Sequence, residues 1–587
     1  MSISEQDRSA MEKYALQNAV KHEGKAEVGA VVSKVLGETP ALRSMAKEVA
    51  RAAAEVVKAV NALSPQAQEQ ELKATYPEAM QAPEKKEGRV GLPPLEGAVT
   101  GNFVVRLPPE PSGFMHIGHA MAGTINDVYK ENYNGKLWLR FEDTNPRKVQ
   151  KRYYESFRTG YSWLGIKWDY EKNVSSDVEL IYEHIQDLIE SGSAYACACA
   201  PETMKKLRFD GKACEHREQT TERSLAIWDE MLGKKHKEGS YVIRLKGDLS
   251  SLDYSLRDPN IARIIDYTHP LTGDKYCVWP TYDFEVVVED QVCGVTHILR
   301  SSEFHVGLQD LVRQLLGFPA ISVTQFSRFN FKGTPVQKRL LRPLVEEKLV
   351  TGWDDPRMPT IEGVIRRGII PEAIRRFTVE VGYTKSEHTF DWSLLLSVNR
   401  KLLDPITKRL FFVPDPVKLT IEDATATVVE IPSHPTADLG IRKVTAGNEL
   451  FVPSVDLAAM KEGESFRLMG LWTVQLTSKS SEAKAKLLPG SFGKATDSSD
   501  DPAAPLIGQF MGRKVQWVDA TNSLNVEVLE PSDLYSDDGT FNKDSLKIRQ
   551  GAVESTFASL RQGEIVQFPR YGFVRVDAPS RCIKDYA

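Results

Sequence analysis

The run from Phe103 to Asp143 constrains this chain more than any other feature. Phe103-Val104-Val105-Arg106-Leu107 reads as a short apolar strand, a proline- and glycine-rich loop follows, and HIGHAMAGTINDVYKENYN at 116–134 reads as a helix. KLWLRFED at 136–143 is then a second strand. Strand, loop, helix, strand is the opening of a doubly wound sheet that binds nucleotides at the carboxyl ends of its strands. His116 and His119, three apart at the helix start, face one side. A helix N-terminus offers free amides and a positive end to phosphate, and Gly118 lets a nucleotide approach the backbone closely. Imidazoles placed there can stabilise charge on an α-phosphate under attack. Two polar residues capping a helix would satisfy H-x-x-H alone; the preceding strand and proline-rich turn favour the phosphate site. Apolar runs at 284–288 (FEVVV) and 295–300 are expected to continue the sheet after an insertion.

A chain of 587 residues exceeds what one hydrophobic core supports, so several domains are expected. Residues 41–63 place Leu42, Met45, Val49, Ala53, Val56 and Val60 at helical spacing, and Ser64-Pro65 should stop that helix. Proline, glycine and charge make 81–99 a linker, and beyond about residue 410 short β-rich runs carry an all-β barrel signature. No apolar run approaches the roughly 20 residues that cross a bilayer, and the polar start lacks a signal-peptide pattern, so a cytoplasmic protein with no membrane partner is expected.

A net charge of -5 argues against a uniformly basic coat, so local charge matters more. Residues 325–345 hold five Lys/Arg and no Asp/Glu, the charge a triphosphate needs, although a solvated basic face would look the same. Cys197-Ala198-Cys199 with Cys214-Glu215-His216 supplies four ligands suited to tetrahedral zinc; unliganded thiols in a reducing compartment are the alternative. Cys277, Cys293 and Cys582 read as small core residues.

The longer match VRLPPEPSGFMHIGHA resembles the glutamyl/glutaminyl subgroup of the class I aminoacyl-tRNA synthetases, and the resemblance runs from about residue 101 to 400. It implies a Rossmann-like α/β catalytic core with an inserted acceptor-binding domain and C-terminal all-β anticodon-binding barrels, behind the N-terminal helical domain. The expected boundaries are 1–95 for the helical domain and linker, 96–195 and 276–330 for the two catalytic halves, and 196–275 for the insertion. A phosphate-loop and stem-contact region at 331–405 and the barrels at 406–587 complete them. ATP and Mg²⁺ are implied as cofactors, with Pro108, Gly113, His116, Gly118, His119 and Lys338 at the nucleotide. The family's second signature, a Lys-Met-Ser-Lys-Ser loop, falls on Pro335-Val336-Gln337-Lys338-Arg339, where only the second lysine, Lys338, is kept, with Arg339 beside it. His116, His119, Lys338 and Arg339 are thus the implied catalytic set.

Substrate identity is carried by the same likeness. In LRFEDTNP the implied partner of a substrate ammonium is Glu142, and Tyr282 of WPTYDF should line the pocket or else be a core tyrosine. Glutaminyl enzymes have a small uncharged residue where this chain has Arg300, so Arg300 with Arg106 is the implied clamp for a glutamate side chain, a buried carboxylate needing a cationic fork. An ion pair of Arg300 with Glu303 or Asp290 is the alternative. Some glutamyl enzymes carry a zinc knuckle similar to the one at Cys197, Cys199, Cys214 and His216. GWDDPRMPT at 352–360 and the β-rich C-terminus resemble the archaeal-type glutamyl branch.

The basic pairs Arg366-Arg367, Arg375-Arg376 and Arg400-Lys401 are expected along RNA, and Trp472, Tyr535 and Tyr571 are candidates to stack bases, core packing being the alternative. The implied activity is glutamate activation with ATP and transfer to tRNA(Glu), with charging of tRNA(Gln) left open and a monomer expected. A glutaminyl enzyme and an RNA-binding paralogue without activation are the alternatives.

Overall fold

The computed structural model describes residues 4–22, 24–39, 42, 45–76, 91–301, 304–480, 482–489, 491–492 and 512–585. It divides at residue 90 into two units. Among the described residues the first contains four helices, α1 (Glu5–Lys21), α2 (Val28–Glu38), α3 (Ala46–Asn61) and α4 (Pro65–Thr75). Met11, Leu16, Val31, Val49 and Val60 form its core, with Leu42 and Val56 packed at the margin. Ser64-Pro65 follows the end of α3 as expected and also starts α4, because the Ser64 hydroxyl caps the new helix and proline is tolerated at its first position. The first part of the expected linker lies outside the described residues. The later part is packed: Tyr129 donates its hydroxyl to the Pro93 carbonyl at 2.6 Å, and the Leu95 amide donates to the Tyr133 hydroxyl at 2.9 Å.

The second unit opens with β1 (Val104–Leu107), α5 (Ile117–Asn132), β2 (Lys136–Phe141), α6 (Lys151–Trp163) and β3 (Tyr170–Asn173). β1 pairs with β2 and β2 with β3, all parallel, as a doubly wound sheet requires. After α7 (Val178–Glu190), the strands β4 (Ala194–Cys197), β5 (Val242–Leu245), β6 (Asn260–Ile264) and β7 (Val278–Pro280) form a separate antiparallel sheet. It carries α8 (Pro201–Asp210) and α9 (Thr221–Leu232).

The chain then returns through α10 (Tyr282–Val292), β8 (His297–Ser301), α11 (Val306–Leu315) and β9 (Ser322–Phe326), with β8 and β9 parallel. β8 lies beside β1, where the Thr296 amide donates to the Val104 carbonyl at 3.0 Å and the Val104 amide to the Thr296 hydroxyl at 2.9 Å. The strands therefore run β3-β2-β1-β8-β9, and a crevice opens at the switch between β1 and β8.

One expected strand is corrected: FEVVV at 284–288 lies inside α10. A short apolar run does not distinguish a buried strand from a buried helix. Here it is buried on every side, including Glu285, Glu289 and Asp290, and the acidic first turn of Asp283 and Glu285 suits a helix N-terminus.

Past residue 410 the β-rich reading is realised, among the described residues, as curled sheets of six and seven strands and a two-stranded pair, Thr427–Pro432 with Ile441–Ala446. The strand Phe412–Pro414 pairs with Leu546–Glu554, so the six-stranded sheet is closed by segments that flank the whole of the seven-stranded one. Trp472 is 4% exposed, Tyr571 packs on Phe412 at 4.8 Å and donates to Glu530, and Tyr535 donates to the Leu340 carbonyl; all three belong to packing, not to an open stacking face. Of the basic pairs, Arg366 meets Asp577, Arg375 meets Asp127, Arg376 meets Glu380 and Arg400 meets Asp585, while Lys401 is exposed. Among the described residues no helix is long and apolar enough to cross a membrane.

Candidate active site

A cavity of about 770 Å³ opens at the carboxyl ends of β1, β2 and β8. Of the residues expected there, Pro108, Gly113, His116, Gly118, His119, Glu142, Tyr282, Arg300 and Lys338 all line it; Arg106 and Arg339 do not. Thr144, Arg263, Glu285 and Arg328 line it as well and were not expected from the sequence.

His116 caps α5 and His119 stands one turn on, with their rings stacked at 3.7 Å. The His116 amide donates to His119 Nδ1 at 3.3 Å, which leaves the proton of a neutral His119 on Nε2. Burial holds the His119 imidazole down at about 4, and burial together with His119 holds His116 well below the ordinary histidine range. Both rings are neutral at pH 7, and the pair meets a nucleotide as hydrogen-bonding groups and not as a fixed positive charge. Gly118 is required by the rings themselves, since a Cβ there would stand 3.1 Å from His116 Cε1.

The motif at 352–360 acquires a physical role from its contacts with this turn. The Ile117 amide donates to the Pro359 carbonyl and the Ile361 amide to the Met115 carbonyl, each at 2.9 Å, so His116 and Thr360 face one another in a short bridge. Ser156 holds the same turn from the other side, accepting from the Met115 amide at 3.1 Å and donating to Glu362 at 2.9 Å.

Lys338, the first residue of α12 (Lys338–Glu346), lies across the loop between β1 and α5, its Cδ 3.5 Å from where a Gly113 Cβ would stand. Burial lowers its pKa, with Arg342, Lys148 and Arg152 adding to the effect and Glu110 opposing it. These four cations make the basic rim anticipated from residues 325–345 wider than that segment alone. Arg339 is exposed and lies outside the cavity wall, because on a helix the next residue is turned by about 100°.

Arg300 is 5% exposed at the end of β8, beside the Tyr282 hydroxyl, and meets no carboxylate within ion-pair distance among the described residues. It makes no ion pair with Asp290, and Glu303 lies outside the described residues. Its Cζ sits 5.3 Å from the Phe304 ring centroid, and that ring packs 5.2 Å from Tyr282. Arg106 departs from the expected clamp. It is fully buried behind the cavity, where Nε donates to Asp290 at 3.0 Å; Arg140 reaches the same oxygen at 2.9 Å. A guanidinium removed from water needs a carboxylate partner, and Asp290 provides it inside the protein. Glu142 lines the cavity with one oxygen held by Arg140 at 2.9 Å.

The cysteine cluster is assembled at the end of β4. Ligand atoms of Cys197, Cys199, Cys214 and His216 all lie within 4.8 Å of one another. Cys197 and Cys214 Sγ are 3.9 Å apart, and Cys199 Sγ is 3.4 Å from His216 Nδ1. Zinc bonds of about 2.3 Å to sulfur and 2.0 Å to nitrogen in a tetrahedron call for separations close to these, so the residues fit the metal. Buried Arg244 lies 3.5 Å from Cys214 Sγ and 3.8 Å from Cys197 Sγ, a cation where thiolate charge would gather.

Comparison with known proteins agrees with this geometry. The model of the class I tRNA synthetase (E and Q) catalytic domain matches residues 102–405, and two anticodon-binding domain models of the same family match 407–488 and 514–577. A glutamate–tRNA ligase of Nitrosopumilus maritimus is 39% identical over 99% of each chain. Others from Cenarchaeum symbiosum, 39% identical over 96% of this chain and 97% of theirs, and Pyrococcus furiosus, 37% over 96% of each, are similar. On these grounds the chain belongs to the class I tRNA synthetases of the E and Q family.

Proposed function

We propose that the chain activates L-glutamate with ATP and transfers it to the 3′ end of tRNA. The observation that carries the choice of amino acid is Arg300: a buried guanidinium that meets no carboxylate within ion-pair distance among the described residues, lining the cavity where the nucleotide-binding turn ends. An uncompensated buried cation is costly to the empty protein, and a substrate side-chain carboxylate relieves that cost while the amide of glutamine does not.

In this reading a carboxylate oxygen of glutamate forms a bond to the α-phosphorus of ATP as the bond to the bridging oxygen breaks and pyrophosphate departs. His119 Nε2–H donates to the α-phosphate oxygens, and Lys338 holds the departing phosphates against the loop at Gly113. Mg²⁺ arriving with the nucleotide would supply charge neutralisation at its phosphates. A terminal adenosine hydroxyl of the RNA then attacks the carbonyl carbon of the glutamyl adenylate, forming the ester as the bond to the phosphate oxygen breaks and AMP departs with the charge. Zn²⁺ held by Cys197, Cys199, Cys214 and His216 would brace the inserted domain, taking no part in the reaction.

Pyrophosphate exchange in the presence of tRNA, run with each amino acid, tests the proposal. Glutamate should drive exchange and glutamine should not; preference for glutamine would turn the assignment to a glutaminyl enzyme, and no exchange with either to a paralogue without activation. Charging of purified tRNA(Glu) and tRNA(Gln) then separates a discriminating enzyme from one that serves both.

A further inference from the structure

We infer that Tyr153 of α6 is a positioning residue for the activation step: its ring, set behind the cavity wall, holds the Lys338 ammonium over the loop between β1 and α5 by a cation–π contact. The inference deepens the reading of the cavity as an ATP site and rests on it.

Lys338 Nζ lies 5.2 Å from the centroid of the Tyr153 ring. Among the described residues it meets no carboxylate within ion-pair distance; Glu110, which opposes the fall in its pKa, pairs instead with Lys148 at 3.4 Å. Tyr153 is 1% exposed and is not part of the cavity wall, so it acts on a nucleotide only through Lys338. Phe114, which does line the wall, packs edge-on to Tyr153 at 5.2 Å and against Trp353 at 5.3 Å.

A carboxylate in place of the ring would neutralise the charge that the departing phosphates require, and would have to be pulled away before they could bind. The face of an aromatic ring attracts an ammonium through its quadrupole and carries no net charge. It aims the side chain and leaves the full positive charge for phosphate. Aim matters in this chain because Pro335 and Gln337 stand where the family's loop has a lysine and a serine, so Lys338 is the one lysine of that signature left.

The ring is fixed from the far side of the site. The Gln150 amide donates to the Pro111 carbonyl at 3.1 Å and the Tyr153 amide to the Gln150 carbonyl at 2.9 Å, which ties the start of α6 to the loop that Lys338 crosses. Ser156, three residues on and on the same face of α6, accepts from the Met115 amide at 3.1 Å. One face of α6 thereby sets the helix that carries His116 against the helix that carries Lys338. Arg152 also lies over the Tyr153 ring, at 4.9 Å, and is the rival claimant to it.

Pyrophosphate exchange by the full-length protein tests the inference through the KM values for ATP, pyrophosphate and glutamate. Replacing Tyr153 by pentafluorophenylalanine keeps the shape of the ring and reverses its quadrupole, so the melting temperature should hold while the attraction is lost. The KM values for ATP and pyrophosphate should rise about fivefold or more, the order of a desolvated cation–π contact, and that for glutamate should stay within about twofold. Tyr153→Phe gives up only the hydroxyl, which accepts from Arg152 at 3.1 Å, and should match the wild type in all three. A tyrosine that merely fills space would give the same KM values in both variants, and that result overturns the inference while leaving the activation reaction standing. The rise should persist in an Arg152→Gln background; its disappearance there would assign the ring to Arg152 and overturn the inference as well. Wild-type protein that exchanges no pyrophosphate would instead refute the ATP reading beneath it.

Discussion

Gly118 lies directly under the imidazole of His116: a Cβ on it would stand 3.1 Å from Cε1 and 3.2 Å from Nδ1 of that ring. The helix gains its nucleotide-facing histidine because the residue two positions on has no side chain. Gly118→Ala should tilt the ring from its stack on His119 and slow adenylate formation about tenfold or more, the order of loss for a misplaced catalytic group. Alanine is the better helix former by about 1 kcal/mol, so the melting temperature should not fall. Exchange kinetics and thermal unfolding of one preparation check both parts.

Arg300→Ala should raise the KM for glutamate and leave that for ATP unchanged. Loss of a desolvated charge pair costs about 2–5 kcal/mol, which is roughly thirtyfold or more in binding. The variant also removes a buried cation that meets no carboxylate among the described residues, so stability without substrate should hold or rise. An unchanged KM for glutamate would refute the clamp.

Protein purified without chelator should contain about one zinc per chain by elemental analysis, the stoichiometry of one four-ligand site. Cys214→Ser should lose the metal and lower thermal stability without altering the affinity for glutamate. Absence of zinc from the wild type would leave four clustered ligands without a role.

The stacked imidazoles carry a pH signature. His119, held down at about 4, stays neutral in the folded state where an unfolded histidine, near 6.5, takes up a proton. Its contribution to stability is complete above about 6.5 and is lost as pH falls toward 4. Asp143, raised to about 6, and Glu289, raised to about 7, act in the opposite sense, since the folded state binds their protons first. The histidine part is therefore read as a difference: the stability advantage of wild type over His119→Asn in urea should shrink between pH 6.5 and 4.5. NMR of the histidine ring protons should find His119 still neutral at pH 5.

Much of the catalytic core is legible in the sequence because its signals are local. The apolar run from Phe103 to Leu107, the proline-rich loop and the helical spacing from His116 are each fixed by neighbours within a turn or two, so β1, α5 and β2 form where their residues predict. The spacing of Cys197, Cys199, Cys214 and His216 likewise declares a shared purpose before any fold is known. A five-residue run such as FEVVV at 284–288 carries no such signal, and it lies inside α10, buried on every side.

What the sequence by itself determined is the set of elements and the chemical kinds of group brought near the nucleotide turn. The tertiary structure alone decided which charges are already answered inside the protein and which wait for substrate. Arg106 and Arg300 are the same residue type in motifs of equal standing, yet Asp290, 184 residues from Arg106, takes one and leaves the other open. A buried charge is stabilised by whatever lies within a few ångströms, and that distance is set by packing between segments far apart in the chain.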